Sequence, residues 1–172
     1  MGLKEEVREL LRQGREEALA DLAASRPAAV QPLLGRLWDS EPLIRRRAAT
    51  VLGKTAATNP DLGVEIIRRL MWWLNDESAT NGVYGIPALG EIGRFAPKIV
   101  SPYLPALAAM AWDDGLRLDL LQALEAVAES SPETVRPHVG VFAAHINDAP
   151  PEEVAAYRRL VESVAEGVSD EE

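Results

Sequence analysis

The sequence predicts an all-α chain built as about five helical hairpins stacked one on the next, and three observations lead there. The first is an internal repeat. Asp39, Asp76, Asp113 and Asp148 lie 37, 37 and 35 residues apart, each preceded by Trp38, Asn75, Trp112 or Asn147. Leu52, Leu89, Leu124 and Leu160 recur at 37, 35 and 36 residues. A period of about 36 fits a helical hairpin that needs neighbours to cover its apolar face. The second is the apolar period within each unit, as in Leu3, Val7, Leu10 and Leu11 or Ile44, Ala48, Val51 and Leu52, which turns one stripe toward a core. No segment alternates as a half-buried strand does. The third is the placing of proline. Pro60, Pro97 and Pro132 keep the same beat, and the pairs Pro27/Pro32, Pro97/Pro102 and Pro132/Pro137 open segments with five-residue spacing. Proline is tolerated at the first helical position, where its missing N–H would have no partner and its φ is already helical.

Taken in order, these signals predict first helices near 3–13, 28–38, 61–74, 98–111 and 133–146, and second helices near 15–25, 42–58, 86–96, 115–130 and 151–166. The units are then about 3–25, 27–58, 60–96, 97–130 and 132–166, in one domain spanning 1–166. The first is an abbreviated cap that turns near Gln13 and Gly14, and 167–172 is expected to be a disordered acidic tail.

Composition narrows the function classes. With 47% hydrophobic residues the 172-residue chain can bury a core of its own. A formal charge of −9 opposes the counterion release that drives non-specific nucleic-acid binding, so nucleic acid is not the expected partner. The opening MGLKEEVREL is amphipathic and charged, unlike a secretory signal, and no apolar run is long enough to span a membrane. The expected location is cytoplasmic. The absence of cysteine removes disulfide and thiolate chemistry.

The second unit, DSEPLIRRRAATVLGKTA from Asp39 to Ala56, resembles the HEAT repeat: an aspartate in the turn, Ile44-Arg45 where the family has Val-Arg, then Ala48, Leu52 and Gly53. The resemblance covers the whole chain in rhythm and is partial from Leu116 to Ala128. It implies an α-solenoid, a right-handed superhelix of antiparallel helix pairs whose concave face meets another macromolecule. Read physically, Asp39 is placed to cap amides at the start of the second helix, and Arg45 to reach a turn carboxylate, its own or the next unit's. Arg45, Arg46 and Arg47 point three ways around a helix, which favours ladder and solvated roles over a phosphate site.

The central unit breaks this pattern without an insertion. At the 37-residue offset, Ile44 becomes Asn81, Arg45 becomes Gly82, Ala48 becomes Gly85 and Thr50 becomes Pro87. These breakers remove several kcal/mol of helical preference, at roughly 1 per glycine and 3 for an interior proline. The helix is therefore expected to start near Ile86, leaving a loop over about 75–85. That loop and its flanks carry the candidate partner-binding residues Trp72, Trp73, Asn75, Asp76, Glu77, Ser78, Asn81 and Tyr84. Adjacent helical positions differ by about 100°, so at least one of Trp72 and Trp73 is expected to be buried. LNDES followed by GIPALGEIG also looks like a pattern of small HEAT-like proteins of anaerobic bacteria and archaea, which implies no particular activity.

Other chemistry is weakly represented, and the expectation is no catalytic residue, no cofactor and no metal site. The turn acids Asp39, Asp76, Glu77, Asp113, Asp114 and Asp148 share one edge, which is therefore acidic and suited to a protein with a basic patch. NDESATNG lacks the ligand spacing of an EF-hand loop, and His138 and His145 lie seven apart without a third ligand. No nucleophile elbow or glycine-rich phosphate loop is present. The fold resemblance leaves one enzyme alternative. HEAT-like DNA glycosylases use tryptophans and an aspartate in a concave groove, which would cast Trp72, Trp73, Trp112 and Asp113 in those roles; HEAT-like bilin lyase subunits are a second analogy.

Overall fold

The computed structural model describes residues 1–76 and 82–166. Among them every regular element is helical and there is no strand. The α-helices are α1 (Leu3–Arg12), α2 (Glu16–Ser25), α3 (Val30–Gly35), α4 (Pro42–Thr58), α5 (Pro60–Asn75), α6 (Ile86–Phe95), α7 (Pro97–Val100), α8 (Leu104–Ala108), α9 (Arg117–Ser130), α10 (Pro132–Val135) and α11 (Pro151–Glu166). Short 3-10 segments flank several of them, among them Pro27–Ala29, Arg36–Trp38, Ser101–Tyr103 and Arg136–His138.

The second helices form the spine. α2 packs on α4, α4 on α6, α6 on α9 and α9 on α11, and these are among the most extensive helix contacts. The recurring leucines explain why. Leu52, Leu89, Leu124 and Leu160 are 0%, 1%, 2% and 0% exposed, so one position per unit feeds a single continuous core. Side-chain hydrogen bonds between units keep the same step. Arg47 reaches the Leu11 carbonyl, Asn59 the Ala24 carbonyl, Ser130 the Gly93 carbonyl and Arg117 the Glu153 carboxylate, over 36, 35, 37 and 36 residues. The first unit is thus tied to the second, the third to the fourth and the fourth to the fifth at about one repeat length.

The first helices are less regular than their apolar pattern predicts, and proline accounts for the difference. Where a second proline follows the first by five residues, the expected helix is divided. Pro102 and Pro137 lie within 3-10 segments, and 98–111 and 133–146 become successions of short α and 3-10 turns. An interior proline removes one i→i−4 bond and crowds the preceding turn, which tighter 3-10 bonding accommodates. α5 has Pro60 but Glu65 five residues on, and it runs unbroken for 16 residues. Asn59 caps it by accepting from the Leu62 amide at 3.2 Å.

The first turn also has an identifiable cause. Gly14 has φ +69°, the left-handed region that glycine enters without a Cβ clash. Arg47 closes over it and donates to the carbonyls of Leu11 and Arg12 at 2.9 and 3.0 Å, satisfying the end of α1.

Candidate functional site: the interrupted central repeat

The second and fourth units share a latch between the turn and the second helix. Arg45 donates to the Asp39 carbonyl at 2.7 Å, and Arg117 to the Ala111 carbonyl at 2.7 Å, six residues back in each case. The expected carboxylate target of Arg45 is corrected here: it holds turn carbonyls. The Asp39 carboxylate instead takes Arg36 at 3.0 Å and the Glu41 amide at 3.0 Å. It does not cap the helix itself: Glu41 holds the N-cap position of α4, and no side chain caps it. The Glu41 amide and the Arg36 guanidinium hold the Asp39 carboxyl below its usual range. A carboxylate does bridge to the next unit at Arg117, which donates to Glu153 at 3.0 Å.

The central unit has glycine where this latch belongs. α5 ends at Asn75, a 3-10 turn occupies Gly82–Gly85, and α6 begins at Ile86 with Pro87 in its first turn. Gly82 is also fixed by packing, since a Cβ there would stand 2.7 Å from the Trp73 carbonyl oxygen and 2.8 Å from Leu74 Cα. The turn therefore lies directly against the end of α5, with a cavity on either side.

The first cavity, about 400 Å³, is walled by Trp38, Trp72, Trp73, Asp76, Gly82, Gln31 and Gly35. Trp38 and Trp73 meet edge to face, with centroids 4.8 Å apart and planes at 77°. Trp73 is half-buried by that contact, whereas Trp72, 100° round the helix, is 66% exposed. Asp76 lies on the cavity wall, half-buried. Asn75 turns away and donates to the Met71 carbonyl at 2.8 Å, closing its own helix. Glu77, Ser78 and Asn81 lie outside the described residues. Trp38 Nε1 is buried without a hydrogen-bond partner, an uncommon state for an indole N–H.

The second cavity opens because α6 lacks its first turns. The start of α4 and the start of α9 consequently line one space of about 480 Å³, with Leu37, Pro42, Arg45, Arg46, Val83, Tyr84, Pro87 and Asp119 on its walls. It continues past Arg46, Pro87 and Asp119 into a further 360 Å³ or so over Ala49, Gly90, Ala123 and Ala126. Tyr84 belongs to this side. Its ring lies 6.5 Å from Trp38 and carries the Arg45 guanidinium at 5.7 Å. Of the residues expected to act together, Trp72, Trp73 and Asp76 therefore share one cavity and Tyr84 faces the other.

Two groove residues escape a reading of the sequence. Among the described residues, the side chains of Arg46 and Asp119 make no hydrogen bond or ion pair, although both border the two parts of the groove. Burial raises the Asp119 carboxyl above its usual value. The only sequence signal was an acid between Leu118 and Leu120 on a second helix. The raised value makes the folded state hold the proton more tightly than the unfolded chain does, so this residue's contribution to stability is most favourable at low pH and declines as pH rises through the folded value. Asp119→Asn is therefore expected to raise Tm at neutral pH and to lose that advantage below about pH 3.8, the ordinary aspartate value. An equal rise at both pH values would show that the charge is not the cause.

Trp112 and Asp113 do not join either cavity wall. Trp112 is 68% exposed, and Asp113 accepts from the Gly115 amide at 2.9 Å as an ordinary turn residue. Among the described residues no three His, Cys, Asp or Glu side chains are grouped to hold a metal ion, and no helix is long and apolar enough to cross a membrane. Comparison with protein-family models and with curated proteins finds no match.

Proposed function

We propose that the chain is a HEAT-like α-solenoid, a right-handed stack of about five hairpins, that serves in the cytoplasm as a non-catalytic scaffold binding another protein. The one-repeat step of the inter-unit hydrogen bonds and the serial packing of α2, α4, α6, α9 and α11 support the solenoid reading. The contact surface is the interrupted central repeat. The observation that carries this reading is the pairing of two cavities across the Gly82–Gly85 turn, with the large amphipathic ring of Trp72 exposed at the rim of one. Exposed aromatic side chains beside a concavity are the usual anchors of protein interfaces.

Trp72 and Trp112 provide a matched pair for the test, being 66% and 68% exposed on different units. In affinity capture from a native lysate, Trp72→Ala is expected to lose a saturably bound protein that wild type and Trp112→Ala both retain. Indistinguishable capture by the two variants would reject the central repeat as the contact.

Asp119 favours a second reading, in which the groove holds a base or chromophore for an enzyme or enzyme subunit. A carboxylic acid with a raised pKa in a cleft is a recurring feature of active sites. Release of an altered base from DNA, or transfer of a chromophore, abolished in Asp119→Asn, would favour it.

A further inference from the structure

The part of the groove walled by α4, α6 and α9 has a chemistry that specifies its occupant, given the reading of the central repeat as a protein contact. We propose that it receives an extended segment of the partner in which a basic and an acidic residue are adjacent, the basic one meeting Asp119 and the acidic one Arg46.

Among the described residues, four charged side chains line this space of about 360 Å³: Arg46, Glu91, Arg94 and Asp119. Glu91 accepts from Arg94 at 3.2 Å and from Thr50 at 3.5 Å, and Arg94 also donates to Glu129, so these two are used within the stack. Arg46 on α4 and Asp119 on α9 have no such partner, and they stand on opposite walls. Burial raises the Asp119 carboxyl, so an incoming ammonium or guanidinium would restore the charged form that its surroundings disfavour. Arg45 cannot supply that cation, because it is held by the Asp39 carbonyl at 2.7 Å.

The width favours extended backbone. α6 lies between α4 and α9, and packed helices stand about 8–10 Å apart, which sets the axes of the two walls roughly 16–20 Å from each other. A helix with its side chains is about 10–12 Å across, so the walls leave on the order of 4–10 Å between them, too little for a helix to enter. Pro87 and Gly90 of α6, with Ala49, Ala123 and Ala126 beside them, make a floor that a main chain can approach closely. In an extended chain successive side chains point to opposite sides, which carries neighbouring residues to Asp119 and to Arg46.

The test titrates the ¹⁵N-labelled full chain with acetyl-Ala-Ala-Lys-Glu-Ala-Ala-amide and follows the backbone amides of Gly90 and Ala123, with Gly140 as a distant control. Gly90 and Ala123 are expected to shift saturably while Gly140 stays in place. Replacing the peptide's lysine by glutamine is expected to weaken binding roughly tenfold, and its glutamate by glutamine about threefold. Placing one alanine between the two puts both on the same side and is expected to weaken binding as much as losing the glutamate. Asp119→Asn is expected to erase the lysine preference and keep the glutamate preference, and Arg46→Gln to do the reverse. Equal binding of all the peptides to wild type, a lysine preference that survives Asp119→Asn, or no response at millimolar peptide would overturn the proposal. If Trp72→Ala nevertheless loses the captured protein, the contact surface stands and only this groove's chemistry fails.

Discussion

Arg117→Ala is expected to lower the unfolding free energy by about 3–5 kcal/mol, the range for breaking one partner out of a buried ion pair. The Arg117 guanidinium joins the turn of its own unit to the second helix of the next. It donates to the carbonyls of Ala111 and Trp112 at 2.7 and 3.0 Å and to Glu153 at 3.0 Å. Arg117 and Glu153 are only 7% and 5% exposed, so truncating the arginine strands a carboxylate between α9 and α11. The net worth of the pair is a separate matter, because desolvating both ions offsets much of their attraction. Arg117→Met with Glu153→Leu, which removes both charges, is accordingly expected to recover part of the loss, the turn carbonyls remaining unpaired. Arg159 and Glu125 join the same two helices at the surface, with side chains 52% and 25% exposed. Arg159→Ala should change stability by no more than about 0.5 kcal/mol. Urea unfolding of these three variants and wild type measures all of this, and equal small effects from Arg117→Ala and Arg159→Ala would contradict the buried-latch account.

Gly53→Ala and Gly90→Ala form the second large expectation, each destabilising by about 1–3 kcal/mol through overpacking. Both glycines lie where successive second helices touch backbone to backbone. A Cβ on Gly53 would stand 2.6 Å from the Glu91 carbonyl oxygen, and one on Gly90 would stand 2.8 Å from Ala123 Cα. Backbone atoms inside a helix cannot step aside as a side-chain tip can, so α4 and α6, or α6 and α9, must separate. That separation would also widen the groove floor at Gly90 and Ala123. The chemically identical change Gly35→Ala meets nothing within 4 Å and is expected to stabilise by up to about 1 kcal/mol through helix propensity. A thermal shift of the same sign for all three variants would show that close helix approach is not what selects glycine at 53 and 90.

How far the residues alone reveal this molecule depends on whether the decisive cause is local. The late start of α6 was legible, because Gly82, Gly85 and Pro87 disfavour helix whatever surrounds them. The all-helical class was legible for a similar reason, since the apolar stripes recur at helical spacing in every unit. The fractured first helices were not, although Pro102 and Pro137 stood in plain view. Proline permits a helix start and interrupts a helix interior, and only the five-residue offset from the preceding proline tells the two apart. The target of Arg45 was read as a carboxylate because charge pairing is the commoner prior, yet the turn's unsatisfied carbonyls lay nearer. Trp38 and Trp112 hold the same place in the repeat, and the structure separates the two: one meets Trp73 edge to face while the other faces solvent. Arg46 and Asp119 belong to helices two steps apart in the stack. They border one groove only because the helix between them is short, a relation no local pattern encodes.

The most direct measurement of the central claim, that the two cavities beside the Gly82–Gly85 turn form one contact surface, is an amide hydrogen-exchange footprint of the chain with and without its captured protein. Protection is expected at the end of α5, at Gly82–Pro87 and at the start of α4, with none across Leu104–Trp112. Protection confined to α8, α10 or α11, with the central repeat unchanged, would contradict it.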